Sequence, residues 1–229
     1  MKIIIAGLLI MFISGCTKFP RTINIYNFQH FTLLDTIYQE PATYRQYDKD
    51  DGGYPIYYIG KIQDTIGIGD RYLPWKNKLP KDRLWDTSVR FFSPEKMTMH
   101  VDTSVKTCIE GTYGNDRDSI LNTHAYLLCI HNVSDTALWL GKDLSLAYLY
   151  REVQNKRGIW VKIEKMPSEM DICGTSQRYV ILNPDEIILA KVIRYKGDIP
   201  AKCRLVMKRF NQIVYSNVFV DQVERSLLD

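Results

Sequence analysis

The chain has 229 residues, of which 45% are hydrophobic, 24% charged and 12% aromatic. That is too apolar for disorder and too mixed for an integral membrane protein. Its 30 basic and 26 acidic residues leave a net charge of +4, spread along the chain. Neutralising a nucleic-acid backbone takes clustered Lys and Arg, so nucleic acid is not an expected partner. The length suits one domain with an elaborate front end, or two small ones.

Met1 and Lys2 form a short positive start, Ile3 to Ile13 an apolar run, and Ser14-Gly15-Cys16 its end. The run is shorter than the roughly 20 residues a membrane-spanning helix needs, but it suits the apolar part of an export signal. Ile13-Ser14-Gly15-Cys16 resembles the lipobox of bacterial lipoproteins. The resemblance implies cleavage between Gly15 and Cys16, diacylglycerol on the Cys16 thiol and acylation of the new amino terminus. Each buried methylene contributes roughly 0.8 kcal/mol, so one acyl chain holds a membrane marginally and two or three hold it stably. Thr17 stands where inner-membrane retention goes with Asp, and Lys18-Phe19-Pro20-Arg21 lacks the acidic cluster of surface-displayed lipoproteins. By resemblance this places the chain at the outer membrane, facing the periplasm.

The chain is expected to divide into a signal peptide (1–15), an anchor and tether (16–21), an N-terminal β-rich region (22–121), a β-sandwich (122–221) and a tail (222–229). In the N-terminal region Thr22 to Phe28, Phe31 to Tyr38 and Ile56 to Ile68 read as strand-forming, while Tyr72 to Trp85 reads as a loop. Met97, Met99 and Val101 then alternate with polar residues before a turn at Gly111 to Asp116.

From Asn122 onward, period-two runs are separated by turn residues. Asn122 to Val133 is the first, and Ala137 to Leu140 is short. Leu144, Leu146, Tyr148 and Tyr150 alternate as one strand, and Gln154 to Gly158 is a turn before Ile159 to Ile163. Tyr179 to Leu182, Ile187 to Tyr195, Ala201 to Met207 and a final strand over Gln212 to Val220 complete the set. Such spacing marks an antiparallel sandwich or barrel. Gly158-Ile159-Trp160, Cys173-Gly174, Leu182-Asn183-Pro184, Tyr195-Lys196-Gly197 and Tyr215-Ser216-Asn217-Val218-Phe219 resemble, in that order, the C-terminal immunoglobulin-like β-sandwich of uncharacterised envelope lipoproteins. That resemblance implies a fold and no activity. The expected class is mainly β: an antiparallel immunoglobulin-like sandwich preceded by a smaller irregular β subdomain.

Beyond Cys16, four cysteines remain: Cys108, Cys129, Cys173 and Cys203. In an oxidising compartment they allow two disulfides with three connectivities, or buried free thiols. They contain no CxxC and no zinc-site spacing. His30, His100, His124 and His131 form no close ligand pair; His124 and His131 are placed on opposite faces of one strand. His100-Val101-Asp102 sets an imidazole and a carboxylate on one strand face, yet no nucleophile is marked.

Asp48-Lys49-Asp50-Asp51-Gly52 echoes a calcium loop, but Tyr58 stands where the closing Glu belongs. Ile66-Gly67-Ile68-Gly69 lacks the third glycine of a phosphate loop. No catalytic residue, metal site or cofactor is expected.

The aromatic surplus is the compositional pointer to binding. Tyr54, Tyr57, Tyr58, Tyr72, Trp75 and Trp85, with Tyr44 and Tyr47, crowd one stretch. They are read either as a contact face for a protein or carbohydrate or as the core of an irregular subdomain. The functional expectation is a membrane-anchored, non-enzymatic envelope lipoprotein that binds another protein or glycan of the envelope. The alternatives are a periplasmic immunity lipoprotein neutralising a toxin, and an envelope hydrolase.

Overall fold

A computed structural model describes residues 21–23, 31–35, 42–49, 54–69, 88–112, 120–142, 145–146, 148–165 and 179–229. In chain order the strands are β1 (Arg21–Ile23), β2 (Phe31–Leu34), β3 (Ala42–Thr43), β4 (Ile56–Lys61), β5 (Thr65–Gly67) and β6 (Arg90–Phe91). Next come β7 (Met97–Thr112), β8 (Ile120–Asn132), β9 (Leu138–Lys142), β10 (Ser145–Leu146), β11 (Leu149–Gln154) and β12 (Trp160–Lys162). The last are β13 (Tyr179–Leu182), β14 (Glu186–Ile193), β15 (Ile199–Arg209), β16 (Gln212–Tyr215) and β17 (Phe219–Val223), before a 3-10 turn at Arg225–Leu228. The described chain is mainly β and contains no α-helix.

A long ladder joins β7 to β8, running from Met97 opposite Asn132 to Thr112 opposite Ile120. On the other side of β8 lies β14, followed by β4, with β3 parallel to the start of β8. The expected boundary at residue 122 thus falls inside β8, and β14 is paired with strands from both sides of it. Every residue of β14 is buried, because both of its faces are covered. On one side Phe31 and Leu33 of β2 and Ile66 of β5 pack against Leu127, Ile187 and Leu189. On the other, Leu128, Ile130 and Ile188 share a core with a second five-stranded sheet.

That second sheet runs β12-β11-β15-β16, with β17 paired to the first half of β15. Its inward side chains Val153, Cys203, Leu205, Met207 and Phe219 complete the shared core. Here the alternation Ala201, Cys203, Leu205, Met207 is buried as the sequence pattern requires. Truncating a fully buried leucine such as Leu128 or Leu205 to Ala would cost about 2–5 kcal/mol. A smaller sheet of β10, β9, β13 and β6 closes one flank, contributing Leu138, Leu140, Val180 and Leu182.

Three runs depart from the sequence expectation, the first being Ile56 to Ile68, which divides into β4 and β5 of separate sheets. Leu144 to Tyr150 is broken at Tyr148, whose φ of 64° is left-handed and ends one strand before the next begins. The run over Gln212 to Val220 splits at Ser216-Asn217, where side-chain bonds add to the backbone ones that Ser216 keeps with Leu205 and Met99. The Asn217 amide spans Val101, its Oδ1 accepting from Val101 N at 2.7 Å and its Nδ2 donating to Val101 O at 3.0 Å. Ser216 Oγ accepts from Leu205 N at 2.9 Å. Together they tie β7 of one large sheet to β15 of the other.

Two glycines of the turn motifs have specific causes. Gly158 takes φ 78° in a turn where Asn155 Oδ1 accepts from the nitrogens of Arg157 and Ile159. At Gly197 a Cβ would meet Val223 N at 2.4 Å, so no side chain fits between that turn and β17.

Candidate functional site

Of the residues singled out in the sequence, Gly15, Cys16, Tyr72, Trp75, Trp85 and Cys173 lie outside the described residues. Cys108, Cys129 and Cys203 are all buried, Cys129 and Cys203 as free thiols, and burial pushes Cys129 and Cys203 up to about 12. Tyr54 and Tyr57 are each only 4% exposed and face the interior rather than a contact surface. Tyr58 is half-buried and donates from its hydroxyl to Lys61 O. Asp102 uses its Oδ1 to accept from Ser104 N at 2.8 Å and Ser104 Oγ at 2.6 Å, bracing a bulge in β7. His124 and His131 lie on opposite faces of β8, with His131 Nε2 3.4 Å from Asp185.

Tyr54 belongs to a buried ionic network. Arg151 on β11 is fully buried. Its Nη1 donates to Asp221 Oδ2 at 3.0 Å, its Nη2 to Ile193 O at 2.6 Å, and its Nε lies 3.2 Å from Glu164 Oε1. Glu164 also accepts from the hydroxyls of Tyr54 and Tyr195 and from Arg151 N. Burial works against the Arg151 charge, but Glu164, Tyr54 and Asp221 outweigh it and hold the guanidinium charged. Asp221 is pushed up by burial and pulled back by Arg151. The network therefore spans from the β4 side to β17 with most of its polar atoms paired, which suits a structural pin between sheets better than a reactive centre.

The outward face of the β12-β11-β15-β16 sheet has a different character. Arg204 stacks 4.2 Å from the Trp160 ring and 4.1 Å from the Tyr215 ring, and its Nε and Nη2 bind Glu152 Oε2 at 2.8 and 2.7 Å. One strand-end further on, an open cleft of about 340 Å³ is lined by Tyr148, Tyr150, Lys162, Lys208, Arg209 and Phe210. Lys162 Nζ sits 4.7 Å above the Tyr150 ring, and burial lowers its pKa. The Tyr150 phenol is pushed up by burial and by Glu152.

Arg209 is held among aromatic rings, 3.5 Å from Phe91, 4.7 Å from Trp139, 5.4 Å from Tyr148 and 5.1 Å from Phe210. Such stacking fixes a guanidinium while leaving its charge intact.

Backbone strain concentrates at this cleft. Phe210 opens the two-residue turn between Arg209 and Gln212, the closing pair of the β15–β16 hairpin. Its φ is 50° and it is 80% exposed, where Gly, Asn or Asp is the usual choice. Tyr148, also left-handed, lines the same cleft. Asp185 is the remaining non-glycine residue with positive φ among those described.

Lys162, Lys208, Arg209 and Phe210 escaped sequence reading because their strands look like ordinary alternating ones. The available signal was Arg209-Phe210-Asn211, an aromatic at a tight turn with no glycine. Among the described residues, no group of three or more His, Cys, Asp or Glu is placed to hold a metal ion, and no helix is long and apolar enough to cross a membrane. No protein-family model matches the chain, and neither a curated protein nor a solved structure matches it.

Proposed function

We propose that this chain is a lipid-anchored, non-enzymatic protein of a bacterial cell envelope that binds another envelope component, protein or glycan, through the cation–aromatic cleft. The cleft is the observation that carries the reading. Its lining of Tyr148, Tyr150, Lys162, Lys208, Arg209 and Phe210 combines rigid aromatic area with charged donors, the composition of a recognition surface. Its described lining includes no carboxylate, thiol or imidazole, and in this reading its lysines and tyrosines serve as ligand donors rather than as acid, base or nucleophile.

The anchor rests on the lipobox Ile13-Ser14-Gly15-Cys16, and Thr17 favours the outer membrane facing the periplasm. Two large sheets sharing one core support a β-sandwich, which we read as immunoglobulin-like, although β3, β4 and β7 of its first sheet come from before residue 122. Replacing Cys16 with Ser in the full chain should move the protein from the membrane fraction to the soluble one and abolish incorporation of labelled palmitate. Palmitate entering that variant would overturn the anchor. Wild-type protein cross-linked in its native envelope should hold a partner that Lys162→Ala/Lys208→Ala loses; recovery of the chain alone would overturn the binding role.

A further inference from the structure

The geometry points to a modification site: the Lys191 ammonium and the Asp35 carboxylate condense into an internal amide that ties the sheet β1-β2-β5 to β14. This goes beyond the binding role and asks nothing of the cleft.

Three elements place the two groups. Asp35 directly follows β2, and Lys191 lies on β14 with its side chain sealed from solvent. Its Nζ stands 3.5 Å from Asp35 Oδ1, donates to Cys108 O at 2.8 Å and sits 4.1 Å over the Tyr57 ring. The other carboxylate oxygen, Oδ2, accepts from the hydroxyl of Thr107, itself fully buried. Adjacent residues of β7 thus hold both halves, Thr107 the carboxyl and Cys108 the nitrogen. Well-oriented groups within one molecule react as if at about 10⁵–10⁸ M.

The surroundings favour a neutral product. Phe31, Leu33, Leu127 and Leu189 form one apolar layer with Tyr57, and two charges taken out of water cost more than their attraction returns unless each is well hydrogen-bonded. An amide carries no charge. It also keeps the bonds already made, for its N–H donates to Cys108 O and its carbonyl oxygen, the former Oδ2, accepts from Thr107. That hydroxyl is also the donor that steadies the oxygen while nitrogen adds to Cγ.

The step needs no outside reagent. One ammonium proton passes to Oδ1, the freed nitrogen lone pair attacks Cγ, a second proton follows to Oδ1, and the Cγ–Oδ1 bond breaks to release water. The third hydrogen stays as the amide N–H. Nothing is oxidised or reduced, and one positive and one negative charge vanish together. The Asp35 side chain is 9% exposed, which puts Oδ1 near a way out for the water. Among the described residues the sheet β1-β2-β5 shares no ladder with β14 and is held by side-chain packing; the amide makes that attachment covalent.

Intact-mass spectrometry of the full chain, denatured and reduced, tests this. Wild type should weigh one water less than its sequence, with terminal processing and any lipid allowed for, whereas Asp35→Ala and Lys191→Met should each show the full mass. Trypsin does not cut after an acylated lysine, so the digest should hold 179–194 uncut at Lys191 and joined to 22–45. Full mass in wild type, with cleavage after Lys191 and the two peptides separate, overturns the assignment. A lost water that maps elsewhere, as to a succinimide at Asp51-Gly52, overturns it as well. Both readings come from the wild-type chain, so they stand even where a variant fails to fold.

Discussion

Arg151 and Asp221 meet at 3.0 Å through Nη1 and Oδ2 with both side chains sealed from solvent, joining β11 to β17 within one sheet. Glu164 holds the same guanidinium from the other side and reaches Tyr54 and Tyr195. A buried charge that loses a partner is not rescued by water, and breaking such a pair costs about 3–5 kcal/mol. Asp221→Ala should therefore lower stability by about that much. Asp221→Asn, which keeps an acceptor oxygen toward Arg151, should cost less. Urea unfolding followed by circular dichroism ranks the two; equal losses would show that the carboxylate charge is irrelevant.

Phe210→Asn should behave in the opposite sense. Asn tolerates the left-handed region that Phe210 occupies at φ 50°, and the exposed ring contributes little to the core. A gain of about 0.5–1 kcal/mol is expected, or roughly 1–4 °C in unfolding temperature for a chain of this size. Calorimetry decides it; a loss of stability would mean that the ring's contact with Arg209 outweighs the turn strain.

The Cys129 and Cys203 thiols, pushed up to about 12 by burial, hold almost no thiolate at neutral pH. Together with buried Cys108 they should resist iodoacetamide in the folded protein and react when urea is added. Peptide mapping by mass spectrometry before and after unfolding reads this residue by residue. Rapid labelling of Cys129 or Cys203 in the native state would contradict their burial.

Burial lowers the His131 pKa, with Asp185 opposing it through a hydrogen bond and its charge. As pH falls below about 6.5, the ordinary imidazole value, the unfolded chain takes up this proton before the folded one does. Folded-state stability at this site is thus full above that pH and declines from there down to the folded pKa. His131→Gln should show a shallower acid loss over that window. Asp185→Asn should lower the His131 pKa further, since it removes the opposing charge. Proton NMR titration of the imidazole measures the second effect, and an upward shift in that variant would reverse the assignment.

Lys191 is buried on β14, its Nζ donating to Cys108 O at 2.8 Å, 3.5 Å from Asp35 and 4.1 Å from the Tyr57 ring. The Asp35 side chain is 9% exposed and the Lys191 side chain fully enclosed. Removing the carboxylate strands the better-buried charge. Asp35→Ala should accordingly destabilise by about 3 kcal/mol, more than Lys191→Met, which leaves a carboxylate nearer to solvent. Denaturant unfolding of both variants gives the order, and the reverse order would refute it.

Much of the strand layout was legible from residue order, because period-two alternation and turn chemistry are local. Tyr179 to Leu182 forms β13 with those bounds. The alternation from Ala201 to Met207 and the turn ending at Gly158 also follow the pattern. The Leu144 to Tyr150 run failed because alternation does not report backbone sign, and Tyr148 reverses it. The crowd of tyrosines was ambiguous for a related reason: composition does not say which side of a ring is covered. Only packing buries Tyr54 on Glu164 and Tyr57 under Lys191.

Composition and residue order by themselves determined the β-rich character and the place of several strands, and they carry the lipobox from which an anchor is expected. Those properties depend on side chains a few positions apart. The tertiary structure alone decided that Arg151, Glu164 and Asp221, far apart in the chain, share one buried network. It also decided that Lys162, Lys208, Arg209 and Phe210 share one cleft with Tyr148 and Tyr150. Neither arrangement is written in any local window, because each is set by the register of β11 against β15 and by the packing of one sheet on another.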